Sequence, residues 1–303
     1  MDPSVPPVLV RKTRRQKVFA VLPTLLTLGN AVCGFGAITI TARVGPDNFS
    51  GSELFLAAQL IFLAMLFDML DGSAARLTNQ TSDFGAQLDS LCDAISFGVA
   101  PAFLMLKLTH PQYRLMDSIV EAPFDYPPRI LWAVAVLFML CAILRLARFN
   151  VESDEEDSHE YFSGLPSPAA AGVVAAFPVG VKGLKDFTLE NSGAALTPDQ
   201  VTDWSRFVNH LLLPGLSVLL PLITLGTAIM MVSRIRYPHV FNQLIRRQRS
   251  RAQLLQLVFT LVLIFVVREM AVPLIFCYFA ASAPCRAVWT TYVQPLFHRR
   301  LPQ

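Results

Sequence analysis

The sequence predicts an all-α integral membrane protein, a bundle of about eight transmembrane helices. Three observations carry that prediction. Hydrophobic residues make up 53% of the 303-residue chain and charged residues only 16%, against roughly 25% charged in soluble domains. Several apolar runs reach the ~20 residues that cross a bilayer. Lysine and arginine concentrate in alternate connecting segments, as expected of a multi-pass chain under the positive-inside rule. One membrane domain is expected rather than two soluble ones.

Residues 1–17 are polar and basic, with Arg11, Lys12, Arg14, Arg15 and Lys17. Such a tail reads as a cytoplasmic segment held at anionic headgroups, not as a nucleic-acid-binding arm. The first span is expected over 18–42. It is too long, and lacks a small-residue cleavage site, for a cleavable signal peptide to be expected. Thr27 and Asn30 are three apart and share a face of this span, as helix glue or as ligand contacts. A turn-rich loop at 45–51 leads to the second span, 53–77. A polar connector, 78–83, precedes the third, 84–106, in which Pro101 is expected to kink the helix. Residues 107–128 read as a polar loop.

The fourth span, 130–146, ends in Arg145-Leu-Ala-Arg148-Phe-Asn150. An acidic stretch with Glu152, Asp154, Glu155, Glu156, Asp157 and Glu160 follows and reads as a solvated loop. The fifth span, 164–181, is rich in alanine and glycine, which predicts tight helix packing in lipid. Residues 182–206 are expected to be a polar loop. The sixth span, 208–232, is followed by a strongly basic loop with Arg234, Arg236, Arg246, Arg247, Arg249 and Arg251. The seventh and eighth spans are expected at 254–267 and 272–288, before a basic tail. The distribution of basic residues puts both termini, and the turn after the second span, on the cytoplasmic side.

Several chemistries find no support in the residues. The five cysteines are odd in number, form no CxxC and lie mostly in apolar runs, so they read as reduced core residues. The five histidines are scattered. A Walker loop, a GxGxxG fingerprint, a GxSxG elbow and a clustered His/Cys zinc site are all missing.

What stands out is Asp68-Met-Leu-Asp71-Gly72-Ser-Ala-Ala75-Arg76, then eight residues, then Gly85-Ala-Gln-Leu-Asp89-Ser-Leu-Cys-Asp93. Asp68, Asp71, Gly72, Ala75 and Arg76 fall on one helical face, and Gly85, Asp89 and Asp93 step by four along the next helix. Two helices joined by a short turn can aim four carboxylates at one cavity. Acidic groups at membrane depth are costly and mark function, and their mutual repulsion is removed by divalent cations. All-oxygen ligands suit Mg²⁺, Mn²⁺ or Ca²⁺. Interhelical salt bridges are the plainer explanation, but they need about as many cations as anions, and only Arg76 is at hand. A pair of metals facing the cytoplasm suits a phosphate-bearing substrate. Gly72 and Gly85 would admit a pyrophosphate to the backbone, and Arg76 would neutralise phosphate.

The motif Asp-x2-Asp-Gly-x2-Ala-Arg-x8-Gly-x3-Asp-x3-Asp resembles, without a departure, that of the CDP-alcohol phosphotransferase family. The resemblance implies a six-helix catalytic core over 18–252, with a basic tail before it and two further spans with a basic tail at 253–303. It implies transfer of a phosphatidyl group from a CDP-lipid to an alcohol at two divalent ions, Mg²⁺ or Mn²⁺, releasing CMP. Asp68, Asp71, Asp89 and Asp93 would be metal-site residues, with Asp93 also the general base. Gly72, Ala75, Arg76 and Gly85 would line the CDP-lipid pocket, joined by Thr27, Asn30 and Ser82. A homodimer is implied as well.

Three further stretches resemble the phosphatidylserine synthase branch of that family: Leu25–Gly34, Arg145–Asn150 with Phe162–Ala171, and Met231–Ser233 with Tyr237 and Pro238. They imply CDP-diacylglycerol as donor and L-serine as acceptor, with Arg145, Arg148, Asn150 and Ser167 as serine contacts. Glycerol 3-phosphate or an inositol phosphate are the alternative acceptors. A cation transporter is the alternative outside the class. It would spread its acids along a pore, whereas here they cluster at one end of two adjacent spans.

Overall fold

The computed structural model describes residues 14–45, 51–78, 83–109, 126–153, 161–192, 207–208, 212–233, 236–238 and 271–288. In chain order these form α1 (Arg14–Arg43), α2 (Gly51–Thr78), α3 (Asp83–Asp93), a π-helical segment (Ala94–Val99), α4 (Ala100–Thr109), α5 (Pro128–Ser153), β1 (Tyr161–Ser163), α6 (Ser167–Ser192), α7 (Leu213–Val232), β2 (Arg236–Pro238) and α8 (Ala271–Val288). The all-α membrane class holds. Six helical stretches among the described residues are long and apolar enough to cross a bilayer: Leu22–Arg43, Gly51–Ala74, Phe84–Thr109, Pro128–Val151, Ser167–Leu184 and Pro214–Val232. The chain is a multi-pass membrane protein.

The expected seventh span, the basic loop beyond Pro238 and most of the acidic stretch lie outside the described residues. The expected eighth span, 272–288, coincides with α8 (Ala271–Val288), whose apolar stretch among the described residues is Pro273–Ser282.

α6 is the axis of the bundle. It packs against α2, α4, α5, α7 and α8, and 72% of its span is buried, against 28% for α2. Its composition explains this. Ala170, Ala171, Val173, Val174, Ala175 and Ala176 are all buried, and small side chains let neighbouring backbones approach closely on every side. Gly172 receives the Phe276 ring of α8, and a Cβ on Gly180 would stand 2.8 Å from Pro273 Cγ. Phe276 also packs on Phe62 of α2, with ring centroids 5.4 Å apart. Outward-facing Val32, Phe35, Trp132, Leu144 and Ile229 are exposed in the isolated chain and form the lipid-facing surface.

Two expectations are corrected. The segment 182–206 is not loop throughout, because α6 continues to Ser192. Its polar end is held by a Lys182–Asp186 pair one turn apart at 3.6 Å, by Lys182 Nζ lying 4.2 Å from the Phe55 ring centroid, and by buried Leu184. The regular α-helix of the sixth crossing runs over Leu213–Val232, with Pro214 in its first turn, where a missing N–H costs nothing. The irregularity expected at Pro101 lies just before it. Carbonyls a turn earlier lack the Pro101 N–H, and Ile95 O instead accepts the Ala100 N–H five residues on, which is the π pattern.

β1 and β2 form a short antiparallel pair, with Phe162 opposite Tyr237. It ties the start of α6 to the end of α7. Gly164, at φ 84°, makes the turn into α6; a side chain there would be strained and would also meet Ser233 O at 3.0 Å. The next residue, Leu165, donates its N–H to Met230 O at 3.0 Å.

Candidate active site

The end of α2 and the whole of α3 carry the acidic motif, and the fold brings its halves together. One carboxylate oxygen each from Asp68, Asp71 and Asp89 lies within 4.8 Å of the others. Asp71 is buried, and Asp68 and Asp89 are half-buried. At this separation each ionised pair would repel by about 3 kcal/mol at an effective dielectric of ~20. Asp71 Oδ2 and Asp89 Oδ1 are buried with no hydrogen-bond partner among the described residues. Buried charged oxygens need compensation, and an all-carboxylate set with orphaned oxygens suits a hard divalent cation. The triad therefore fits a metal ion.

Asp93, one turn after Asp89, is not among the three whose oxygens lie within that distance of one another. It is buried, and its Oδ1 accepts the Asn30 Nδ2 amide from α1 at 2.8 Å. Asp68, Asp89 and Asp71 are all close enough to act on its charge. Thr27, one turn before Asn30, lies beside Asp71, and its hydroxyl donates to Pro23 O at 3.0 Å.

α5 supplies the cation. Arg145 sits next to Asp93 and Asp68 and donates from Nη1 to Ser167 Oγ at 2.9 Å, at the first turn of α6. Its Nε is buried with no partner among the described residues. Its guanidinium carbon lies 5.9 Å from the Phe149 ring centroid. Further along α5, Asn150 Nδ2 donates to Ser90 Oγ at 2.9 Å, bracing α5 against α3 beside Asp89. Arg148 is half-buried on the same helix.

Of the pocket residues expected from sequence, Gly72 is half-buried next to Asp71, and a Cβ built on it would meet nothing within 4 Å. That open space beside the triad is what a ligand approaching the backbone requires. Gly85 is half-buried on α3. Ala75 and Arg76 continue the α2 helix, with side chains outside the described residues, and Ser82 lies outside them altogether. Sequence reasoning missed the Asn30–Asp93 bond, the Ser90–Asn150 brace and the strand pair. The spacing of Asn30 and Gly34, one helical turn apart and each polar or small, was the available signal for the first.

These features define a class: a multi-pass membrane protein with a carboxylate cluster able to hold a cation at one end of its bundle, beside a half-buried arginine. Residues 20–198 match the CDP-alcohol phosphatidyltransferase family, and the chain belongs to it. A CDP-diacylglycerol–serine O-phosphatidyltransferase of Mycobacterium tuberculosis is 33% identical over 162 residues, covering 52% of this chain and 49% of the relative. One of Methanocaldococcus jannaschii is 39% identical over 153 residues, covering 50% and 61%. An archaetidylserine synthase of Methanothermobacter thermautotrophicus is 38% identical over 161 residues, covering 52% and 58%. The chain spans about half the length of the curated relatives it matches.

Proposed function

We propose that the protein transfers the phosphatidyl group of CDP-diacylglycerol to the hydroxyl of L-serine, giving phosphatidylserine and CMP. The observation that carries this reading is the juxtaposition of the Asp68–Asp71–Asp89 triad, in which Asp71 Oδ2 and Asp89 Oδ1 have no partner among the described residues, with Arg145, which lies beside Asp68 and whose buried Nε likewise has none among them. One side of the site is built for a cation and the other for an anion. The serine assignment is supported by the relatives' names.

Asp68, Asp71 and Asp89, with Asp93 at their edge, would hold two divalent ions, Mg²⁺ or Mn²⁺. When bound, these ions neutralise the donor's pyrophosphate and stabilise the charge that develops on its oxygens. Gly72 and Gly85 leave room for the pyrophosphate, while Thr27, Ala75, Arg76 and Ser82 complete the CDP pocket. Asp93 takes the proton from the serine hydroxyl. The serine oxygen forms a bond to the phosphorus bearing the diacylglycerol, the bond from that phosphorus to the oxygen of CMP breaks, and CMP leaves with the electron pair. Arg145, with Arg148 behind it, holds the serine carboxylate, and Ser167 aims Arg145 through its hydroxyl. Asn150 sets the distance between α5 and α3 and so bears on the same subsite. Positioning of the two substrates supplies much of the rate.

In this reading the site and both termini face the cytoplasm, where both substrates are at hand. The core extends over 18–252, the remaining residues add two spans and a basic tail, and the protein works as a homodimer. The test is to incubate purified protein with CDP-diacylglycerol, Mn²⁺ and labelled serine, and separately with glycerol 3-phosphate or inositol phosphate. Metal-dependent CMP release with serine alone is expected. Release only with a phosphorylated alcohol would reassign the acceptor, and no release with any alcohol would overturn the reading.

A further inference from the structure

We infer that Asn30 is a positioning residue for Asp93, held in place by a backbone-level contact between α1 and the π-helical segment. The inference rests on the transfer reading above and goes beyond it, assigning Asn30 a task other than lining the donor pocket.

Three contacts join the same two stretches of chain. Asn30 is fully buried, and its Nδ2 donates to Asp93 Oδ1 at 2.8 Å. Its main-chain carbonyl accepts the Ser96 hydroxyl at 2.9 Å, from within the π segment three residues beyond Asp93. Gly34, one turn along α1 on the same face as Asn30, removes the side chain where the helices touch. A Cβ at Gly34 would stand 2.7 Å from Ser96 Cα, so no other residue permits the approach without a shift. The π segment begins directly after Asp93. Its wider turn presents Ser96 to the Asn30 carbonyl while Asp93 meets the Asn30 amide.

The consequence is geometric. Fixing one carboxylate oxygen on a buried amide leaves the other with a narrow choice of orientation. Asp93 is thereby held at the edge of the Asp68–Asp71–Asp89 triad, with its other oxygen kept for the acceptor hydroxyl. A carboxylate without this amide would be free to turn away from the acceptor.

The test compares full-length wild type with Asn30→Leu, close in volume but without hydrogen-bonding groups, and with Ser96→Ala, which loosens the brace and keeps the amide. Serine-dependent CMP release should lose about 10²-fold in kcat for Asn30→Leu, and less for Ser96→Ala. The KM values for CDP-diacylglycerol and serine should not change. Mn²⁺ affinity, read by electron paramagnetic resonance without substrate, and the melting temperature in detergent should also hold. A raised CDP-diacylglycerol KM with kcat intact would return Asn30 to the donor pocket and overturn the inference. So would unchanged kcat, or a joint fall of Mn²⁺ affinity and melting temperature. If Asn30→Leu does not fold, Ser96→Ala carries the same decision. Wild type that releases no CMP with any alcohol overturns the transfer reading, and this inference with it.

Discussion

On the α2–α3 side of the site, Asp71 Oδ2 and Asp89 Oδ1 are buried and have no hydrogen-bond partner among the described residues. On the α5–α6 side, Arg145 is held by Ser167, and Asn150 by Ser90. The first side is left incomplete and depends on something bound to it. The second is largely satisfied within the protein and offers one unpaired N–H. Incompleteness in a buried polar cluster is costly, so where it persists it marks the place at which ligand energy enters. The braced side sets geometry.

Substitutions can break this comparison. The largest effect is expected from Asp93→Asn, which keeps the shape and removes the proton acceptor. Its kcat should fall by about 10³-fold, with Mn²⁺ binding retained; intact turnover would remove Asp93 from the role of base. Asp89→Asn should act on the incomplete side itself, weakening Mn²⁺ binding by at least about 100-fold, since even residues supporting a ligand contribute that much. Equilibrium binding of Mn²⁺ to the protein without substrate reads this directly, and unchanged affinity would detach the triad from metal. Arg145→Ala should raise the serine KM roughly 10–100-fold, the worth of a hydrogen bond to a charged group, and leave the CDP-diacylglycerol KM alone. Equal rises in both would make Arg145 a general electrostatic element instead of an acceptor contact. The smallest effect tests the bracing alone. Gly164→Ala forces a side chain into positive φ and against Ser233 O, which costs about 1–2 kcal/mol. The melting temperature should fall while the ratio of the two KM values stays fixed.

The acidic half of the site was legible in the sequence because its logic is local. Offsets of three and four residues decide which side chains share a helical face, and the fold brings Asp68, Asp71 and Asp89 together as those offsets require. Arg145 was visible as a charge at the end of an apolar run. The Asn30–Asp93 bond was not, because it joins positions 63 residues apart and depends on how α1 is rotated against α3. No single-helix pattern encodes that rotation. The strand pair escaped notice because three residues on each side carry no measurable alternation. The continuation of α6 to Ser192 was hidden by its polarity, since hydropathy marks where lipid ends and not where a helix ends. Gly34, Gly172 and Gly180 read from sequence only as small residues. Their partners, Ser96, Phe276 and Pro273, appear only once the helices are packed.

The π-helical segment makes the third crossing two pieces with separate rotational settings. Before it, Asp89 and Asp93 are turned to α1 and α2; after it, Leu104, Met105 and Leu108 are turned into the core. Each residue advances an α-helix by about 100°. The same six residues wound as regular α-helix would turn the chain roughly 100° further than the wider π turn does, and would swing one piece against the other by about that angle. With the apolar half anchored by its packing, the carboxylates would be the part to move. The wider winding of these six residues is therefore as decisive for the site as the identity of the acids.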